Sequence, residues 1–120
     1  MTADFINETM SAVDGLNQGQ IHEMLVQLIA IRARGGRLFL IGVGGSAANC
    51  SHAAADFRTL CGIDAYALDS VAHLTALAND RSWEDLWENW LTSHYANSKD
   101  LIYVMSVGGG TPLYSRNIAS

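Results

Sequence analysis

Apolar residues recur every three or four positions in some stretches of the chain and run together in others, and the two patterns alternate. Residues 3 to about 14 and about 18 to 33 show helical spacing, with Ile21, Met24, Leu25, Leu28 and Ile31 on the second helix and a break around Gly15 and Asn17. Gly35 and Gly36 stop that helix, after Arg32 and Arg34 have placed positive charge at the negative end of its dipole. Residues 37 to 42, RLFLIG, then form a short and almost continuously apolar run, the pattern of a strand covered on both faces in a parallel sheet. A helix from about Ser46 to Leu60 follows, then a second short strand around Ala65 to Leu68 and a helix opening at Asp69 or Ser70.

The next helix is expected from Ser82 to about Tyr95. Ser82 and Asp85 stand at N-cap and N3 spacing, a variant of the capping box, and Trp83, Leu86, Trp87, Trp90 and Leu91 form an apolar stripe that reads as core or subunit contact. Residues 100 to 106, DLIYVMS, give a third buried strand leading into VGGGTP, where Thr111 caps and Pro112 starts another helix. Strands alternating with helices define an α/β domain with a mostly parallel sheet. Ser120 falls about two turns into the helix that should cover the third strand, so a sheet short of its full cover, with its C-terminal part missing, is expected.

Composition narrows the classes of function. With 120 residues, 49% of them hydrophobic, the chain supports one core. A net charge of −5 repels a phosphate backbone, which argues against nucleic acid as a partner. Met1 to Met10 carries Asp4 and Glu8 without a basic or apolar leader pattern, and no stretch approaches the roughly 18 apolar residues of a membrane span. The expectation is a soluble, cytoplasmic protein with no membrane partner. Cys50 and Cys61 fall three turns apart on one expected helix, too far along its axis to bridge, and read as reduced, buried small hydrophobes.

Two strand ends carry the candidate chemistry. GVGGSA follows the first strand and SVGGGT the third, and each places open backbone N–H groups where an anion can bind. Right-handed crossovers put both turns at the same C-terminal edge of the sheet. Ser46, Ser106 and Thr111 add hydroxyl donors, a set that suits a phosphate ester of modest size. A rival reading takes Gly42, Gly44 and Ala47 as the GxGxxA variant of a dinucleotide fingerprint, with Asp69 as its acid, but leaves the second turn without a task. On the helix after the first turn, Ala47, Cys50, Ala54, Phe57 and Cys61 share one face at 100° per residue, and His52, Asp56 and Thr59 share the opposite one. His52 and Asp56 are therefore either a solvated i, i+4 pair or an acid/base or metal site completed from elsewhere. His22, His73 and His94 read as surface or packing histidines.

The stretches GRLFLIGVGGSAANCSHAAADF, LTALANDRSWEDLW and DLIYVMSVGGGT resemble the sugar isomerase (SIS) domain family, and within it the phosphoheptose isomerases, from about Gly36 to Ile118. The resemblance implies a flavodoxin-like, or Rossmann-like, parallel sheet with helices on both faces. Residues 1–35 would be an N-terminal helical segment for oligomerisation and residues 36–120 the N-terminal portion of the SIS domain. It further implies a homotetramer with active sites between subunits, acting on a phosphosugar. Gly44, Gly45 and Ser46 of the first turn, and Ser106, Gly108, Gly109, Gly110 and Thr111 of the second, would hold that substrate. Asp56 stands at the position of the family's catalytic base, His52 at that of the histidine that joins it in binding zinc in some members, and Asp80 at that of a substrate-contacting aspartate. Three positions differ from the family pattern: Val43 replaces an asparagine, Asp56 a glutamate, and SVGGGT a turn richer in hydroxyls.

Overall fold

A computed structural model describes residues 1–111 and Ile118, and its chain divides into two compact units, Met1–Ala30 and Ile31–Ser120. The first unit holds α1 (Thr2–Asp14) and the larger part of α2 (Gln18–Arg34). Asn17 opens α2 by accepting a hydrogen bond from the Gln20 N–H on its Oδ1 at 3.1 Å, which is why the chain breaks and restarts there. Helix α1 buries no residue: Phe5, Ile6, Met10 and Val13 share one side and all are exposed.

In the second unit, β1 (Arg37–Gly42), β2 (Asp64–Ala67) and β3 (Leu101–Met105) form a parallel sheet in the order β2-β1-β3. The central strand β1 is buried along five of its six residues, as its unbroken apolar run requires. Leu38 and Leu40 project to one face and Phe39 and Ile41 to the other, by the twofold alternation of a strand. Helix α3 (Gly45–Thr59) packs on β1 and β2, with Cys50 and Ala54 as its buried residues. The opposite face receives α4 (Val71–Asp80) and α5 (Leu86–Ser93), where Leu86, Trp87 and Trp90 cluster with Phe39, Ile41 and Leu68. Trp90 meets the Phe39 ring edge-on at 5.4 Å, so the tryptophan stripe is core. This is the expected α/β, Rossmann-like arrangement with helices on both faces.

Boundaries moved in two places. The α-helix expected from Ser82 begins only at Leu86, because residues 83–85 form a tighter turn in which the Leu86 N–H reaches the Trp83 carbonyl at 3.4 Å. The Ser82 hydroxyl and Asp85 pair with each other there, at 2.7 Å through the carboxylate and 3.0 Å through the Asp85 N–H, instead of capping α5. Cys61 lies past the end of α3 and is half-buried, whereas Cys50 is buried as expected; both are free thiols.

The end of α5 is held by two devices. Tyr95 adopts φ 51°, and the Tyr95 and Ala96 N–H groups close on the Thr92 and Leu91 carbonyls, a Schellman arrangement with a bulky residue where glycine is favoured. The Tyr95 side chain is exposed, so Tyr95→Gly should raise stability by about 0.5–1 kcal/mol in urea unfolding. The second device is a clasp. Arg37 grips Asp100 through Nε at 3.2 Å, Nη2 at 2.7 Å and its backbone N–H at 2.9 Å, and also donates to the His94 and Tyr95 carbonyls.

That clasp fixes directions. His94 sits beside the start of β1, and His73, near the start of α4, stacks on it at 5.9 Å. The start of α4 thus lies beside the end of α5.

Candidate functional site

Strand β1 ends at Gly42 because nothing larger fits: a Cβ there would lie 2.8 Å from the Ser46 carbonyl carbon in the first turn of α3. Gly44 follows as the N-cap of α3 at φ 61°, a conformation that disfavours side chains, and supplies no side-chain cap. The Ser46 N–H turns back to the Val43 carbonyl at 3.2 Å. The first turn of α3 therefore presents amide donors and the positive end of the helix dipole without a side-chain partner at the N-cap.

Strand β3 ends in register with β1, Gly42 pairing with Met105, so the second glycine turn begins beside the first. Between them lies a cleft of about 240 Å³. Val43 and Ser46 line it from the first turn, and Met105, Ser106, Gly108, Gly110 and Thr111 from the end of β3 and the second turn. The sequence expectation that two separate crossovers deliver their glycine turns to one place is met, at the point where strand order reverses about β1. None of the described residues that line the cleft is charged, so an anion seated there would be held by N–H and O–H donors.

The expected site residues divide into three groups. Ser46, Ser106, Gly108, Gly110 and Thr111 line the cleft. Gly44, Gly45 and Gly109 shape the two turns: Gly44 and Gly45 start α3, and the Gly109 N–H is engaged by the Ser106 hydroxyl oxygen at 3.0 Å, which leaves that hydroxyl its own proton to donate. His52, Asp56 and Asp80 lie outside the lining. His52 Nε2 and Asp56 Oδ2 are 3.4 Å apart on the face of α3 turned away from the sheet, with side chains 83% and 51% exposed. Asp80 is exposed at the end of α4 and accepts from Asn79 Nδ2 at 3.0 Å. Asp69, the acid required by the dinucleotide reading, is exposed beyond β2, on the far side of β1 from the cleft. Reading the sequence missed Val43, Met105, Val107 and Ile118 as lining residues, although the β1–β3 register places Met105 opposite Gly42 once the strands are aligned.

Among the described residues, no group of three or more His, Cys, Asp and Glu is placed to hold a metal ion. The His52–Asp56 pair offers two donors where a zinc site takes four, so the residues present do not by themselves fit that ion. No helix among the described residues is long and apolar enough to cross a membrane.

A family profile described as the SIS domain matches residues 3–116. The chain belongs to the SIS domain family. The match takes in the N-terminal helices of this SIS domain as well as its sheet. Over 98 residues, 77% of the chain, it is 32% identical to a phosphoheptose isomerase of Desulfovibrio desulfuricans, covering 46% of that protein. Over 90 residues, 70% of the chain, it is 34% identical to a phosphoheptose isomerase of Burkholderia pseudomallei, covering 45% of that one. The SIS chain thus spans about half the length of these curated relatives. The solved structure of phosphoheptose isomerase GmhA from Neisseria gonorrhoeae superposes with a TM-score of 0.79 over 98% of this chain and 61% of that one, at 24% identity, which supports the shared fold.

Proposed function

We propose that this SIS chain forms the phosphosugar-binding part of an aldose/ketose isomerase of the phosphoheptose isomerase kind, acting on sedoheptulose 7-phosphate or a near relative in the cytoplasm. The observation that carries the reading is the convergence of two amide- and hydroxyl-bearing turns on one cleft, uncharged among its described lining residues and sized for a phosphate and a few further atoms. Relatives at 32% and 34% identity that bear the isomerase name add to it.

In this reading Ser46, Ser106 and Thr111, with the amides of Gly108 and Gly110, hold the phosphate. Isomerisation requires a base to carry a proton between C1 and C2 of the sugar. Asp56 takes that role, with His52 beside it to orient the carboxylate and exchange the proton, and Asp80 accepts from sugar hydroxyls. Asp56 lies outside the cleft of its own chain and is half-exposed, an arrangement that suits a site assembled with a second copy. The exposed apolar side of α1 gives such a copy a surface to bury, consistent with a homotetramer.

The test is calorimetric titration with sedoheptulose 7-phosphate alongside a turnover assay. Binding with turnover supports the isomerase, and absence of binding overturns the phosphosugar reading. Binding without turnover favours the second reading, a phosphosugar-sensing or adaptor SIS protein, for which the placement of Asp56 away from the cleft is the motivating observation. Ser106→Ala should weaken binding about tenfold, the scale of one hydrogen bond to a charged group.

A further inference from the structure

A stripe of small and polar residues leads along α3 away from the cleft. Ser46, Asn49, Ala53 and Asp56 recur at spacings of three, four and three residues, which holds them within an arc of about 80° on the helix surface. Ser46 lines the cleft at one end, and Asp56 stands half-exposed at the other. Asn49 lies one turn beyond Ser46, about 4.5 Å along the axis, and because helical side chains lean toward the N-terminus its carboxamide is carried back toward the cleft. Nothing among the described residues accounts for an amide there. Asn49 is exposed, and among those residues no hydrogen bond or ion pair engages its side chain. Asparagine is also a poorer helix former than alanine, which fills positions 47, 48 and 53–55 of the same helix. A local preference broken without a compensating contact is the pattern of a residue that serves something outside the fold.

We infer that Asn49 is a specificity-determining residue, whose carboxamide reads the hydroxyls on the carbons next to the phosphate ester of a ligand seated in the cleft. The inference rests on the phosphosugar reading proposed above and names the side chain that meets the sugar just beyond its anchor. A carboxamide offers one acceptor oxygen and two donor N–H groups on a short stem, so it can accept from one hydroxyl and donate to its neighbour. Sedoheptulose 7-phosphate carries hydroxyls on the two carbons that follow its phosphorylated one, the pattern such a group matches. An ester with a bare hydrocarbon chain leaves the same amide to water and gains nothing from it.

The test measures sedoheptulose 7-phosphate and propyl phosphate by calorimetry on the full chain, the weaker ligand by displacement of the stronger. In Asn49→Ala and in Asn49→Leu, the affinity for sedoheptulose 7-phosphate should fall about tenfold while that for propyl phosphate holds. Asn49→Gln, which keeps both the donor and the acceptor, should recover part of the loss. The melting temperature of Asn49→Ala should hold or rise, since alanine is the better helix former, so a folding defect would not imitate the result. Unchanged binding of sedoheptulose 7-phosphate by Asn49→Ala and Asn49→Leu overturns the inference and leaves the phosphosugar site standing. An equal fall for both esters also overturns it, because the residue would then act on the anchor rather than on the hydroxyls. Failure of the unaltered chain to bind either ester overturns the phosphosugar reading itself, and this inference with it.

Discussion

Asp100→Ala should lower the unfolding free energy by about 3 kcal/mol at neutral pH, measured by urea titration. The Asp100 side chain is only 5% exposed, and its removal leaves the Arg37 guanidinium, 25% exposed, without its carboxylate partner. It also withdraws the acceptor of the Asn97 N–H, 3.0 Å away, and frees the loop between α5 and β3. The pH dependence follows from the same contacts. Burial alone pushes the Asp100 carboxyl up, but the hydrogen bond from the Arg37 side chain, those from the Arg37 and Asn97 N–H groups, and the Arg37 charge together hold it at about 2, below the ordinary 3.8. A carboxyl depressed in the folded state binds its proton more readily when unfolded. Its contribution, about 2.5 kcal/mol, is therefore complete above about pH 5 and is lost as pH falls through 4 toward 2. The stability difference between the unaltered chain and Asp100→Asn should shrink across that window and stay constant from pH 5 to 8.

In the proposed isomerase, Asp56→Asn should reduce kcat by a hundredfold or more, the usual contribution of a positioned general base, with KM changed little. The amide keeps the size of the side chain and removes only its basicity. Because Asp56 is half-exposed and its described ionic contact is His52 at 3.4 Å, the melting temperature should stay within about 1–2 °C, which separates loss of chemistry from loss of fold. Asp56→Glu, which retains the carboxylate on a longer stem, should keep a measurable part of the rate. Equal turnover by Asp56→Asn and the unaltered chain would remove the base from this position.

Local chemistry made the strands readable. Gly36 and Gly42 bracket β1, and its apolar run matches the observed Arg37–Gly42 to the residue. Strand β2 was expected one residue late, since it opens on the exposed Asp64, which carries no apolar signal. Helix α5 was expected a turn early because Ser82 and Asp85 have the spacing of a cap, and only the tertiary setting shows that they close a separate turn ahead of it. The same division runs through the candidate site. The two glycine turns and the outward direction of His52 and Asp56 follow from periodicity and crossover handedness. The full lining of the cleft does not, because Met105 comes to lie beside Gly42 and the first turn only after β3 has docked. Nor does the Arg37–Asp100 clasp, whose partners are 63 positions apart and belong to no local pattern.

The order β2-β1-β3 also bears on how the chain reaches this state. The central strand borders one partner that follows after a single helix and another that arrives only after α4 and α5 have been made. The ladder to β3 must close a long loop before any of its pairs is rewarded, which slows its formation. Refolding in stopped flow should accordingly fall in the millisecond-to-second range rather than among microsecond helical bundles. During synthesis, β1, α3 and β2 emerge ahead of α4 and α5, and Phe39 and Ile41 stay open to solvent, and to other nascent chains, until Trp90 is translated.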